Sequence, residues 1–222
     1  MEGLRFGLVT LDIETIPPMD REPNPDDVKA PGNYKDPEKI KAFQEENAIA
    51  AYRKLSLNPL DAQVCVIGCA WQDEPVVTFA GLDEKAIFTQ FEEWLQSKTT
   101  TQHQGNLKQI NNFSVCGHNI ANFDLPILFL RGAKYGLYGV MDLANKKPFD
   151  EKIMDTMRMA FPTLRSEYVS MDVLCSFFGL EGKGEIDGSM VYDLVLEGRL
   201  PDVANYCADD VNKTRQLLLK LI

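Results

Sequence analysis

Asp12 and Glu14 stand two apart at the end of an apolar, β-branched run, FGLVTLDI, at residues 6–13. Side chains two apart on a strand point to the same face, so the two carboxylates converge. Acids held that close repel unless a cation or a proton lies between them; alone, the same spacing is an ordinary solvated strand end. A second group follows the apolar residues 113–116: Gly117-His118-Asn119, then Asn122-Phe123-Asp124 where a helix opens. Asp124 either offers a third carboxylate to a cation or only meets the positive end of the helix dipole. Asn119 and Asn122 suit hydrogen bonds to a phosphate or sugar, and His118 suits a structural bond to backbone. The third group lies in the last helix, where Tyr206 and Asp210, four apart, share a face. A phenol beside a cation-bound carboxylate orients an attacking water. Asp209, about 100° further round the helix, is assigned to solvent or a cap.

These groups need a scaffold that holds them. The run at 6–13 reads as a buried central strand. The Pro-rich stretch 17–37 is loop, and Asp36-Pro37 opens a helix to about residue 57, which Asn58-Pro59 ends. Residues 17–59 are thus an insertion on a single domain, 1–222. Residues 64–71 and 75–80 form a hairpin about Gln72-Asp73-Glu74. Residues 83–96 make an amphipathic helix with Ile87, Phe91, Trp94 and Leu95 on its apolar side. The polar stretch 99–112 lacks periodicity and reads as a loop. A strand at 113–116, a helix at 123–132 capped by Asn122, a strand at 153–155 and helices at 171–178, 190–197 and 201–221 complete the chain. The order describes an α/β domain, a mixed five-stranded sheet flanked by helices.

Composition narrows the function classes. With 222 residues and 45% hydrophobic side chains the chain can bury a substantial core, which excludes wholesale disorder. A formal charge of −10 excludes coating nucleic acid through a broad basic surface. It does not exclude gripping one strand end through bound cations, which supply the charge the protein lacks. The five cysteines (Cys65, Cys69, Cys116, Cys175, Cys207) form no CxxC pair or zinc cluster and read as buried reduced thiols. No secretory signal opens the chain, and no apolar run reaches the roughly 18 residues of a membrane span. A cytoplasmic location is the expectation.

Taken in order, the acid pair on the first strand, His-Asn…Asp before a middle helix and Tyr-x-x-x-Asp on the last helix resemble the DEDD superfamily of 3′–5′ exonucleases. Asn205 occupies the position where the histidine branch carries its histidine, so the tyrosine branch, DEDDy, is the consistent one. LDIET, GHNIANFDLPIL and YCADDV look most like stand-alone exonucleases related to the proofreading domain of family B DNA polymerases. The resemblance implies a ribonuclease H-like fold and hydrolysis with two divalent cations, Mg²⁺ or Mn²⁺. Asp12, Glu14, Asp124 and Asp210 would be the ligands, and Tyr206 would hold the attacking water. Thr15 and Ile16 would touch the terminal nucleotide, and Phe123 would pack beneath the site or against a base. Lys183, in the glycine-rich loop 182–188, either neutralises a phosphate or is merely solvated. Asp155 either supports the site from behind or only caps the segment after it. The implied substrate is the 3′ end of a nucleic acid, DNA before RNA, with any polymerase or repair partner unspecified. An RNA-trimming enzyme and a catalytically silent binding module are the competing readings.

Overall fold

The run carrying the first acid pair becomes a ten-residue strand, β1 (Gly7–Ile16), at the centre of the sheet. A computed structural model of the chain describes residues 7–103, 106–109, 113–147, 150–163, 168–182 and 184–222. After the Pro-rich stretch, α1 (Pro37–Lys54) starts at Asp36, whose carboxylate accepts the Glu38 N–H at 3.0 Å, with Pro37 in the first turn. One 3-10 turn, Leu55–Leu57, closes it. β2 (Gln63–Trp71) and β3 (Val77–Ala80) form the expected hairpin. α2 (Glu84–Thr99) is capped by Asp83, which accepts the Ala86 N–H. The stretch expected to be a loop is instead an antiparallel ribbon, β4 (Thr100–His103) with β5 (Asn106–Gln109). Its polar residues carry no alternation because the ribbon stands apart from the main sheet.

β6 (Phe113–Gly117) leads to α3 (Asp124–Tyr135), which ends on Gly136 in the left-handed conformation, φ +71°. Then come α4 (Tyr138–Ala144), β7 (Ile153–Asp155), α5 (Thr156–Ala160), α6 (Met171–Phe177), α7 (Val191–Leu196) and α8 (Leu200–Leu221). The main sheet runs β3-β2-β1-β6-β7, antiparallel between β1 and β2 and parallel from β1 through β6 to β7. This is the mixed five-stranded sheet that the order of elements implies.

Alternation along β1 divides the molecule. Val9, Leu11 and Ile13 pack with Phe88, Phe91 and Leu95 of α2 and with Leu125 and Leu128 of α3. Ile16 faces the other way, among Val191 and Leu194 of α7 and Val203 and Cys207 of α8. Between the pairs Glu14–Val66 and Thr15–Val64 the ladder skips Cys65, a β-bulge. Residues of the insertion dock on α7: the Tyr52 ring meets Tyr192 edge-on at 6.1 Å, and Arg53 pairs with Asp193 through both terminal guanidinium nitrogens.

Two buried acids tie the α2–α3–α4 layer together. Glu84 accepts the Val64 N–H at 2.8 Å, the Arg131 Nε at 3.0 Å and the Tyr135 hydroxyl at 2.5 Å. Arg131 also donates to the carbonyls of Pro59 and Ala62. Glu92 accepts the N–H groups of Gly139 and Val140 at 2.9 and 2.7 Å, so α4 is capped by a side chain from α2.

Candidate active site

Asp12 and Glu14 alternate with the apolar side chains of β1 and point toward α8. There a carboxylate oxygen of each and the Cys207 Sγ lie within 4.8 Å of one another. Cys207 sits 3.4 Å from the Asp12 carbonyl and 3.5 Å from its Oδ2, and its thiol donates to them. This approach depends on Gly68, the β2 partner of Asp12 in the ladder. A Cβ at Gly68 would stand 2.8 Å from the Cys207 Sγ and 3.2 Å from Val211. Without a side chain there, α8 settles directly on the sheet.

α8 is amphipathic, and its buried stripe (Val203, Tyr206, Cys207, Asp210, Val211, Thr214, Leu217, Leu218) carries an acid and a phenol among apolar residues. Asp210 is 5% exposed and Tyr206 9%, and the two share a hydrogen bond. α3 brings the remaining carboxylate. Asp124, 3% exposed, is the first residue of that helix, and its Oδ1 accepts the Ile13 N–H at 3.1 Å, which ties α3 to β1 between the two acids. Three elements distant in sequence thus bring Asp12, Glu14, Asp124, Tyr206 and Asp210 to one place.

The electrostatics follow from that crowding. Burial raises the Glu14 carboxyl well above its ordinary range, and repulsion from Asp12, Asp210 and Asp124 raises it further. Burial likewise raises Asp124, with Asp12 adding to it, against a lowering by the Ile13 N–H. The Tyr206 phenol is pushed up by burial and then by Glu14, Asp210 and Asp12, so it remains a hydroxyl. Cys207 is raised by burial and by Asp12 and Glu14, and remains a thiol. The donor set is therefore carboxylate oxygen, buried and mutually repelling. That chemistry fits a hard divalent cation such as Mg²⁺ or Mn²⁺, which takes oxygen ligands and would neutralise the repulsion.

The loop between β6 and α3 has its own anchor. Asp155, 1% exposed, accepts the backbone N–H groups of Asn119 and Ala121 and also caps α5 through Met157. It serves both roles that sequence left open, and it holds Asn119 at φ +60°. The Asn122 side chain is not the cap of α3. Phe123 occupies that position without a capping bond, while Asn122 donates to the Asn119 Oδ1 and accepts from Arg158. Phe123 packs partly buried against the main core. His118 contacts the Thr156 hydroxyl and the Val169 carbonyl, both at 2.9 Å, the structural bonding expected of it. Asp209 is exposed and pairs with Lys213.

The two residues after the acid pair make their side-chain contacts within the protein. Ile16 lies on the Asp12 and Glu14 face of β1, but α7 and α8 cover that end of the strand, so its side chain is fully buried among theirs. The Thr15 hydroxyl donates to the Ser56 carbonyl at 2.7 Å and anchors the insertion. Lys183 lies outside the described residues. The neighbour that sequence reading passed over is Cys207. Its position three before Asp210 already placed it beside that residue on the helix surface.

Comparison with known proteins gives the family and the fold. Residues 76–222 match the family described as predicted 3′–5′ exonucleases related to the exonuclease domain of PolB, and the chain belongs to that family. The matched span includes α3 and α8 but not β1, so the acid pair lies outside it. Among solved structures, the chain is similar to the family B DNA polymerase of the hyperthermophilic archaeon Pyrobaculum calidifontis, with a TM-score of 0.59 and 17% identity. That similarity covers 98% of this chain and 25% of the polymerase, so the chain spans about a quarter of that protein's length. The shared fold is ribonuclease H-like. No curated protein matches the chain. No helix among the described residues is long and apolar enough to cross a membrane.

Proposed function

We propose that the chain is a metal-dependent exonuclease that removes nucleotides from the 3′ end of single-stranded DNA. The observation that carries this reading is the convergence of acids from β1, α3 and α8, in which Glu14 meets the charges of Asp12, Asp210 and Asp124. Asp12, Glu14, Asp124 and Asp210 would hold two Mg²⁺ or Mn²⁺ ions, which when bound supply a hydroxide at neutral pH and charge for the leaving oxygen. The protein's own part is positional. The Ile13 N–H fixes Asp124, the Cys207 thiol fixes Asp12, and the Tyr206 hydroxyl is held at Asp210, where it can point a water at the scissile phosphate. Asn119 and Asn122 would bond the sugar or phosphate of the terminal nucleotides, exchanging for that purpose the bonds they make to each other and to Arg158. Family membership supports the 3′–5′ direction, and the acidic surface charge fits a site that relies on cations.

The test uses matched DNA and RNA single strands labelled at the 5′ end, with Mg²⁺ or Mn²⁺, against the Asp12→Ala, Glu14→Ala double variant. The expected result is a ladder shortening from the 3′ end on DNA, lost with chelator and reduced on the order of 10³-fold in the variant, since cation stabilisation is worth several kcal/mol. Preferential cutting of RNA would replace the substrate with RNA. Binding of both strands without cutting would make the chain a silent nucleic-acid module.

A further inference from the structure

A cavity of about 430 Å³ opens on the flank of α3, between that helix, the segment following α4 and the β7–α5 junction. Its volume is in the range of small-ligand sites. Leu125, Pro126, Phe129 and Ile153 give it an apolar wall, and Lys146 and Arg158 are its two cations. In a chain of net charge −10, this lining carries two cations and no acid. An aromatic base suits such a wall, and a phosphate suits such cations.

The position of the cavity relates it to the acid cluster. Asn122 lines it and accepts from the Arg158 Nη2 at 2.8 Å, while Asp155 lies 3.8 Å from the Arg158 Nε, so the guanidinium is already held in place. The Lys146 ammonium rests over the Phe113 ring at 5.3 Å. Two residues beyond Asn122, the same segment delivers Asp124 to the cluster. α3 therefore turns Asp124 toward the acids and Leu125, Pro126 and Phe129 toward the cavity.

We propose that this cavity is a strand subsite, which seats a nucleotide unit upstream of the 3′ terminus with its phosphate on Arg158 and Lys146 and its base against Phe129 and Leu125. This rests on the reading of the acid cluster as the hydrolytic site. A released nucleoside monophosphate has the same chemistry, and the experiment separates the two.

Native protein, Arg158→Gln, Arg158→Lys and Lys146→Gln are compared in two assays. One is hydrolysis, with Mn²⁺, of a single-stranded decamer and of thymidine 5′-monophosphate p-nitrophenyl ester, which is too small to reach beyond the acids. The other is fluorescence anisotropy of the decamer in chelator from 50 to 200 mM salt, which reads strand binding without metal or turnover. Each glutamine variant is expected to lower the decamer-to-ester ratio of kcat/KM at least tenfold. Each should also flatten the log–log salt dependence by about 0.7 for the phosphate contact it removes, with Arg158→Lys retaining most of the slope. Lys146 makes no ion pair among the described residues, so Lys146→Gln keeps the test valid if Arg158→Gln disturbs α5. Native slopes in both glutamine variants would overturn the subsite. So would thymidine monophosphate that binds native protein through Arg158 and Lys146 while the decamer does not, which would assign the cavity to the released product. Failure of native protein to cut either substrate would defeat the hydrolytic reading alone, since the anisotropy slopes still decide the cavity.

Discussion

Glu84 and Glu92 are as deeply buried as Glu14 and Asp124, at 8% and 7% exposure against 8% and 3%. Their surroundings differ in kind. Glu84 meets a guanidinium, a phenol and a backbone N–H, and Glu92 meets two N–H groups at the start of α4. Those carboxylates are neutralised or bonded by the protein itself and hold three helices together. Glu14 meets other acids, and Asp124 has one backbone bond from β1 set against burial and the charge of Asp12. Burial of a charge without compensation is costly, so a fold that keeps such a cluster marks a place completed from outside. Burial alone therefore does not distinguish a structural acid from a functional one. The identity of the neighbours does.

The sharpest way to break this contrast is to remove the cation from the structural group. Arg131→Leu leaves Glu84 buried beside a hydrocarbon, and urea unfolding should show a loss of about 3–5 kcal/mol. Hydrolysis per folded molecule should be unchanged. A variant that lost activity while keeping its stability would mean that the two groups are coupled.

A second prediction concerns pH and metal together. The folded-state values of Glu14 and Asp124 lie above their ordinary 4.5 and 3.8, so the native state holds protons that the unfolded chain has released. Metal-free stability should therefore fall as pH rises from about those ordinary values through the raised ones, and stay low beyond. Mn²⁺ binds the ionised form and should restore about 2.7 kcal/mol at a hundredfold excess over its dissociation constant, most strongly at the higher pH. Melting curves from pH 4 to 8, with chelator or Mn²⁺, check this. A flat profile with no metal shift would place the cluster in the same category as Glu84.

The smallest effect belongs to Tyr206→Phe. The ring stays and the hydroxyl goes, so the melting temperature should barely move while kcat falls about ten- to a hundredfold, the scale of a misplaced reactant. A loss well above 10³-fold would make the phenol a proton carrier in the reaction and not a positioning group.

Much of this was legible in the sequence, and the reasons are local. Strand alternation put Asp12 and Glu14 on one face, and helical spacing put Tyr206 over Asp210, because both rules act within a few residues. Likewise FGLVTLDI and VCVIGCAW are apolar enough to name the central strands. The features that escaped depend on distant partners. α4 has no cap of its own and relies on Glu92, 47 residues earlier than Gly139. Ile16 reads as a rim residue until α7 and α8 cover it. The Asn122 side chain is diverted from capping α3 by Arg158, 36 residues later. The β4–β5 ribbon carries no hydrophobic pattern, since it is paired only with itself.

The contact between Cys207 and Asp12 joins residues 195 apart, the first strand of the sheet to the last helix of the chain. A ribosome adds about 5–20 residues per second, so Asp12 and Glu14 exist for roughly ten to forty seconds before Asp210 is made. Three of the four acids therefore wait on the fourth during every synthesis, and the proposed cation site stays incomplete until α8 has been made. On the proposed reading the site is completed by α8 in one closing event and not by a gradual gain.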